Sequence, residues 1–257
     1  MSEFQDHTVL VTGAASGIGA ALAAALLAQD ARVIALDRNA DGLATLREAY
    51  GDDRLACFTL DVSDSAAVDA AVAAGETKLG AITKLATVAG VLQMGQIVDL
   101  SDAQWAQTFA VNTTGTFNVL RAVGARMVER GKGAVVVVSS NAATTPRTGM
   151  GAYAASKAAV TQLARCFALE VAQAGVRCNI VSPGSTDTEM QRAMWRQGSS
   201  AQTVIEGSSS AYRLGIPLGK IAQPEDIVAS ILFLLSDRAG HITLHDLRVD
   251  GGATLDR

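Results

Sequence analysis

Tyr153 and Lys157 are the residues from which a chemistry can first be read. They stand four apart at the start of a helical pattern and so share one helix face. A free tyrosine has a pKa of about 10 and is a poor base near neutrality. A neighbouring ammonium favours the phenolate and lowers that value. The pair therefore points to proton abstraction from an alcohol, with Tyr153 expected below its ordinary pKa. Taken alone, most such spacings are surface decoration, so its meaning rests on the residues around it.

Ser139 and Ser140 end a run of four valines, Val135 to Val138. In a parallel α/β sheet the carboxyl ends of strands line the ligand crevice, where a hydroxyl can hold a substrate oxygen beside Tyr153. Asn112 lies inside a long helical pattern, either as an ordinary helix residue or as a kink that orders water and supports Lys157.

A second constellation lies near the amino terminus. The apolar run Thr8-Val9-Leu10-Val11 leads straight into Thr12-Gly13-Ala14-Ala15-Ser16-Gly17-Ile18-Gly19 and then an alanine-rich helix. Glycines there permit a sharp turn and let a diphosphate approach the backbone, and the helix start supplies free N–H groups. Strand before and helix after are the context that separates a dinucleotide site from a glycine-rich turn. Asp37 closes the next strand, where a carboxylate accepts hydrogen bonds from the adenine-side ribose and repels a 2′-phosphate. NAD is therefore expected rather than NADP, with Arg38 facing solvent or stacking near adenine.

The elements that must position these groups follow from periodicity. Strands are expected at Thr8–Val11, Arg32–Leu36, Leu55–Leu60, Leu85–Ala89, Ala134–Val138, Arg177–Val181 and Leu244–Val249. Helices are expected over 17–29, 41–50, 65–74, 102–129, 153–174 and 224–235. Apolar strands alternating with helices imply a Rossmann-type, doubly wound α/β fold: a seven-stranded parallel sheet within one domain over 1–257. The stretch 185–215 breaks the rhythm with Gly198-Ser199-Ser200 and Gly207-Ser208-Ser209-Ser210. Its position after a strand end suggests a substrate lid rather than a merely flexible loop.

Composition narrows the function classes. Of 257 residues, 49% are hydrophobic and only 4% aromatic, so the core is aliphatic. A net charge of -4 offers no footprint for nucleic acid and no basic patch for a membrane surface. The three cysteines are scattered and no Cys/His spacing suggests a metal, so none is expected. His241 and His245 are four apart on a strand-like segment, which does not stack them. No leader or spanning stretch is evident, and a soluble cytoplasmic protein is expected.

Together these residues resemble the short-chain dehydrogenase/reductase family. The resemblance runs through Thr12-Gly13 to Gly19, Asp37, Asp61-Val62, Ala89-Gly90, Asn112, Ser140, Tyr153 to Lys157, and Pro183-Gly184 followed by Thr188. It implies a catalytic tetrad of Asn112, Ser140, Tyr153 and Lys157, with Ser140 rather than Ser139 as the catalytic serine. It also implies a cofactor cradle: Gly13, Ser16, Gly17, Ile18 and Gly19 on the diphosphate, Asp37 on ribose, Asp61 and Val62 on adenine. Ala89, Gly90, Tyr153 and Lys157 continue it, and Pro183, Gly184, Thr186 and Thr188 embrace the nicotinamide. One departure is visible. The family usually carries Asn before the Ala-Gly pair, where this chain reads Thr87-Val88-Ala89-Gly90, which puts a sheet-bracing hydrogen bond in question. Family members are commonly tetramers, so a homotetramer is expected.

Loop segments carry the resemblance further, to the branch that oxidises cyclohexadiene diol carboxylates to catechols for siderophores. They are 91–95, 145–150, 183–191 and 214–221. The substrate implied carries a carboxylate, which Arg147 could bind bidentately, although a surface arginine reads equally well. Met94, Met150, Met190, Gln191 and Met194 could form an adaptable wall around the ring or could simply pack. An amino analogue of the diol, a dihydro-hydroxyanthranilate, is an open alternative, and a silent NAD-binding regulator a more distant one.

Overall fold

The computed structural model describes residues 2–196 and 200–255. Gly198 and Ser199 of the expected lid, and the chain's outermost residues, lie outside the described residues.

Seven parallel strands form the central sheet: β1 (Thr8–Thr12), β2 (Arg32–Asp37), β3 (Leu55–Thr59), β4 (Ile82–Thr87), β5 (Gly133–Val138), β6 (Val176–Pro183) and β9 (Asp246–Val249). Their order is β3-β2-β1-β4-β5-β6-β9, so the chain reverses its direction of winding between β1 and β4. The crevice above that point is where a doubly wound sheet binds ligands. Both faces are covered, and β5 shows it: Val135 and Val137 join one core, Val136 and Val138 the other. That double burial explains the continuous valine run, which no one-sided strand needs.

Helices α1 (Gly17–Ala28), α2 (Ala40–Tyr50) and α9 (Pro224–Leu235) cover one face. The other carries α3 (Ser65–Leu79), α5 (Thr116–Arg130) and α6 (Gly151–Ala172). A π-turn, Ala110–Gly115, joins α4 (Asp102–Phe109) to α5, so the expected long helix is continuous but passes through a wider turn that holds Asn112.

Three expectations are corrected. The fourth strand spans Ile82–Thr87, not Leu85–Ala89. Lys84 obscured it: this charge is 3% exposed within the sheet because its ammonium reaches Asp237 at 2.9 Å. Helix α3 continues past Ala74 to Leu79 through Gly75, where a Cβ would lie 2.7 Å from the Ile34 side chain. The stretch 185–215 is not featureless. It contains α7 (Glu189–Arg196), α8 (Ala201–Glu206) and an antiparallel hairpin, β7 (Gly207–Ser208) with β8 (Arg213–Leu214).

Candidate active site

The turn after β1 is built by backbone geometry. Gly13 and Gly17 adopt positive φ of 69° and 52°, and a Cβ on Gly19 would fall 2.0 Å from the Gly13 carbonyl oxygen. Only glycine allows this approach. Ser16 caps α1 without a side-chain hydrogen bond, so the N–H groups of the first turn are left for a ligand. Asp37 braces the turn: its carboxylate accepts from the N–H groups of Ala15 and Asn39, each at 2.9 Å. Asp61 accepts from the Ser63 hydroxyl at 2.7 Å and the Ser63 N–H at 2.8 Å, and these bonds hold its carboxyl below the usual range.

These groups edge a cleft of about 390 Å³ along the carboxyl ends of the strands. Ile18, Asp37, Asp61 and Val62 stand at one end, with exposed Arg38 between the two acids' strands. Ala89 and Gly90 form the floor, and Pro183, Gly184, Thr186 and Thr188 the opposite wall. A Cβ on Gly17 would lie 3.1 Å from Thr188, so the two sides nearly meet. Positive-φ glycines, an uncapped helix start and a carboxylate at the end of β2 fit a nicotinamide dinucleotide.

The inner end holds the proton chemistry. Helix α6 presents Tyr153 and Lys157 to the cleft, with Lys157 only 4% exposed. The Ser140 side chain lies near enough to Tyr153 to favour its charged form, and its hydroxyl accepts the Ala142 N–H at 3.1 Å. Ser139 instead turns onto α6, within 2.6 Å of the Thr161 hydroxyl and donating to the Lys157 carbonyl at 3.2 Å. The two adjacent serines thus divide into one that faces the cleft chemistry and one that ties β5 to α6.

The expected lowering of the Tyr153 pKa is not found. Burial is the largest influence and pushes the hydroxyl above its ordinary value, against the nearby Ser140 side chain and the Arg147 charge. The Lys157 ammonium does not approach closely enough to reverse this. It donates to the Val138 carbonyl at 2.9 Å, sits 5.9 Å from the Tyr153 ring centre, and is itself pushed down to about 8 by burial.

Asn112 is fully buried behind the cleft rather than on it. Its amide accepts the Val91 N–H at 2.8 Å and donates to the Val91 carbonyl at 3.0 Å and the Ser156 hydroxyl at 2.9 Å. It clamps the strand-end loop to α6, while Lys157 bonds elsewhere; both side chains crowd Gly90, where a Cβ would lie 3.3 Å from the Asn112 oxygen and 3.5 Å from the Lys157 nitrogen. The bracing that Thr87 put in question is done by Thr12, whose hydroxyl accepts the N–H groups of Val88 and Ala89 at 3.0 and 3.1 Å. The Thr87 hydroxyl is buried without a partner.

Arg147, Met150, Met190, Gln191 and Met194 border the cleft beside Tyr153. Met94 does not; it is 38% exposed in an adjoining groove of about 770 Å³. The residue that sequence reasoning missed is Arg213, which borders both spaces from the hairpin. It lies far along the chain in a polar stretch, and only its basic character in that stretch hinted at it. Among the described residues no three candidate metal ligands converge, and no helix is long and apolar enough to cross a membrane.

Known proteins share this arrangement. The family described as short chain dehydrogenase matches residues 7–198. A 2,3-dihydro-2,3-dihydroxybenzoate dehydrogenase of Bacillus subtilis (strain 168) is 49% identical over 98% of this chain and 97% of its own length. One of the same name from Escherichia coli (strain K12) is 45% identical over 98% and 99%. The crystal structure of levodione reductase superposes with a TM-score of 0.88 at 29% identity, covering 97% of this chain and 98% of the other. With the glycine turn, the Ser140–Tyr153–Lys157 cluster and the seven-stranded parallel sheet in place, the chain belongs to the short-chain dehydrogenase family.

Proposed function

We propose that this protein oxidises 2,3-dihydro-2,3-dihydroxybenzoate to 2,3-dihydroxybenzoate with NAD, in the synthesis of catechol siderophores. The observation that carries the reading is the likeness to dihydrodiol carboxylate dehydrogenases over nearly the whole chain, joined to a basic wall next to Tyr153. Asp37 supports NAD over NADP, because its anchored carboxylate repels a 2′-phosphate. A bound nicotinamide would supply the hydride acceptor for the ring carbon, with Asp37, Lys157 and the glycine turn holding the dinucleotide.

The chain's own residues handle the proton. Ser140 holds the substrate hydroxyl against Tyr153, and the Tyr153 oxygen takes its proton. Burial that raises the Tyr153 pKa in the free protein is opposed once positive charge enters beside it, since a nearby cation favours the phenolate. Lys157 holds the cofactor ribose, Asn112 keeps the loop and α6 in register, and Arg147 pairs with the ring carboxylate. The segment 185–215 acts as a lid within a single domain. Unpaired cysteines suit a reducing cytoplasm, and exposed Trp105, Phe117 and Leu169 suit assembly as a homotetramer.

The test is NADH formation on the dihydrodiol, run in parallel with its amino analogue, trans-2,3-dihydro-3-hydroxyanthranilate, and with NADP replacing NAD. The dihydrodiol with NAD is expected to give the highest kcat/KM. A higher value for the amine would reassign the substrate, one for NADP the cofactor, and no turnover of either ring would favour a silent binder.

A further inference from the structure

Resting on that reading of the substrate, we propose that Arg213 is a second anchor for the ring carboxylate. It completes, with Arg147 and the Gln191 amide, a three-sided anion clamp that makes the enzyme select acids over neutral ring alcohols.

Three observations lead there. Gln191 is 8% exposed, borders the cleft, and its amide nitrogen has no hydrogen-bond partner. The Arg213 Nε is likewise buried and unpartnered, while its Nη2 donates to the Ser185 hydroxyl at 3.0 Å. Buried donors are nearly always satisfied, so two orphans on residues that border one cavity mark where a ligand's acceptors belong. Third, Arg147 and Arg213 carry like charges into the same space. Burial and then the Arg147 charge both push the Arg213 pKa down, which identifies two partly desolvated cations close enough to repel each other. An anion between them relieves that repulsion and offers bidentate acceptors to both forks.

The acids nearby are committed elsewhere. Glu189 pairs with Arg196, and Asp187 with Arg192 at 2.7 Å. Asp250 acts on Arg147 but also accepts from Asn141 at 3.1 Å. The hairpin is built to place Arg213. Tyr212 before it adopts φ 51°, and a Cβ at Gly207 would lie 2.7 Å from the Arg213 carbonyl oxygen. Because the clamp joins the lid hairpin to the wall carrying Arg147, acid binding draws the two together.

The experiment measures binding of 2,3-dihydroxybenzoate and of catechol, which lacks the carboxylate, to the enzyme–NADH complex, with steady-state kinetics on the dihydrodiol. The wild type is expected to prefer the acid at least tenfold. Arg213→Met is expected to bring the two ligands within about threefold and raise the KM for the dihydrodiol roughly 30-fold. Its kcat and its KM for NAD are expected to stay within about threefold, and Arg213→Lys to keep part of the acid preference. If Arg213→Met retains the full acid preference, or if the wild type shows none, the clamp is wrong, whatever the turnover. If the acid preference depends on Arg213 but the dihydrodiol is not oxidised, the clamp stands and the proposed reaction falls.

Discussion

The two ends of the sheet treat polar groups in opposite ways. At the amino-terminal edge, charges are paired off. Lys84 meets Asp237 at 2.9 Å, and Arg177 donates to the carbonyls of Leu234 and Ser236, each at 2.9 Å. Glu76 receives the Arg130 fork at 2.7 and 2.8 Å, the Ile82 N–H at 2.9 Å and Arg126 at 3.3 Å. At the carboxyl-terminal crest, polar groups are buried and left wanting. Tyr153 and Lys157 are held away from their charged forms by burial, and Thr87, Gln191 and Arg213 each hold a polar atom without a partner. Unmet polar groups cost stability, so a fold concentrates them where a ligand will meet them. The contrast sets residues that hold the fold apart from most of those proposed to act, without reference to any relative.

The contrast can be broken most severely at Tyr153. Tyr153→Phe removes the proton acceptor alone and is expected to lower kcat by about 10²- to 10⁴-fold. Its melting temperature is expected to stay within a few degrees, read by calorimetry. A mutant retaining wild-type turnover would mean that Tyr153 is not the base.

Lys157 sharpens it, because here function and stability oppose each other. The folded chain releases the Lys157 proton near 8, whereas an unburied lysine holds it to about 10.5. Between those values the unfolded state binds more protons, so stability from this site rises with pH across that window. Below it the buried charge is a cost, bounded by about 3.5 kcal/mol at roughly 1.4 kcal/mol per unit. Lys157→Met is therefore expected to be inactive yet more stable at pH 7, with the gain shrinking towards pH 10. A less stable Met variant at neutral pH in urea unfolding would refute the assignment.

The smallest effect belongs to the opposite edge. Burial tends to raise the Glu76 carboxyl, but the Arg130 fork, the Ile82 N–H and Arg126 together hold it below its ordinary range. A carboxyl depressed on folding stabilises above its unfolded pKa, and the contribution fades as pH falls through the folded value. Glu76→Gln is expected to lose about 1–3 kcal/mol at pH 7, to lose progressively less as pH falls through the depressed folded value, and to leave kcat unchanged. A kcat loss without a stability loss would reverse the division of labour drawn between the two edges.

Much of the crest was legible in the chain. A four-residue spacing placed Tyr153 and Lys157 on one helix face, and glycines between a strand and a helix placed the turn, because both depend on local geometry. What was not legible depends on distant neighbours. The position of β4 was obscured by Lys84, whose burial makes sense only once Asp237 stands beneath it. The end of α3 was hidden by Gly75, required by Ile34 across the layer. Burial also decided the sign of the Tyr153 shift, which spacing alone could not supply. Arg213 reaches the cleft only because a short hairpin folds back over it, and a serine-rich stretch gives no periodic sign of that turn.

The π-turn around Asn112 has a consequence for how this chain can change. One residue of an α-helix subtends about 100°. A residue deleted from the regular part of α5 would turn everything after it by about that angle, whereas one deleted from the wider turn Ala110–Gly115 would restore regular winding and leave α5 facing as it does. With α5 in phase, Asn118 would keep the Val62 carbonyl it holds at 3.0 Å, and Arg130 would keep Glu76. The turn is thus a spare link: the extra residue serves the Asn112 clamp on Val91 and Ser156, and its removal would cost that clamp before it cost the packing of α5.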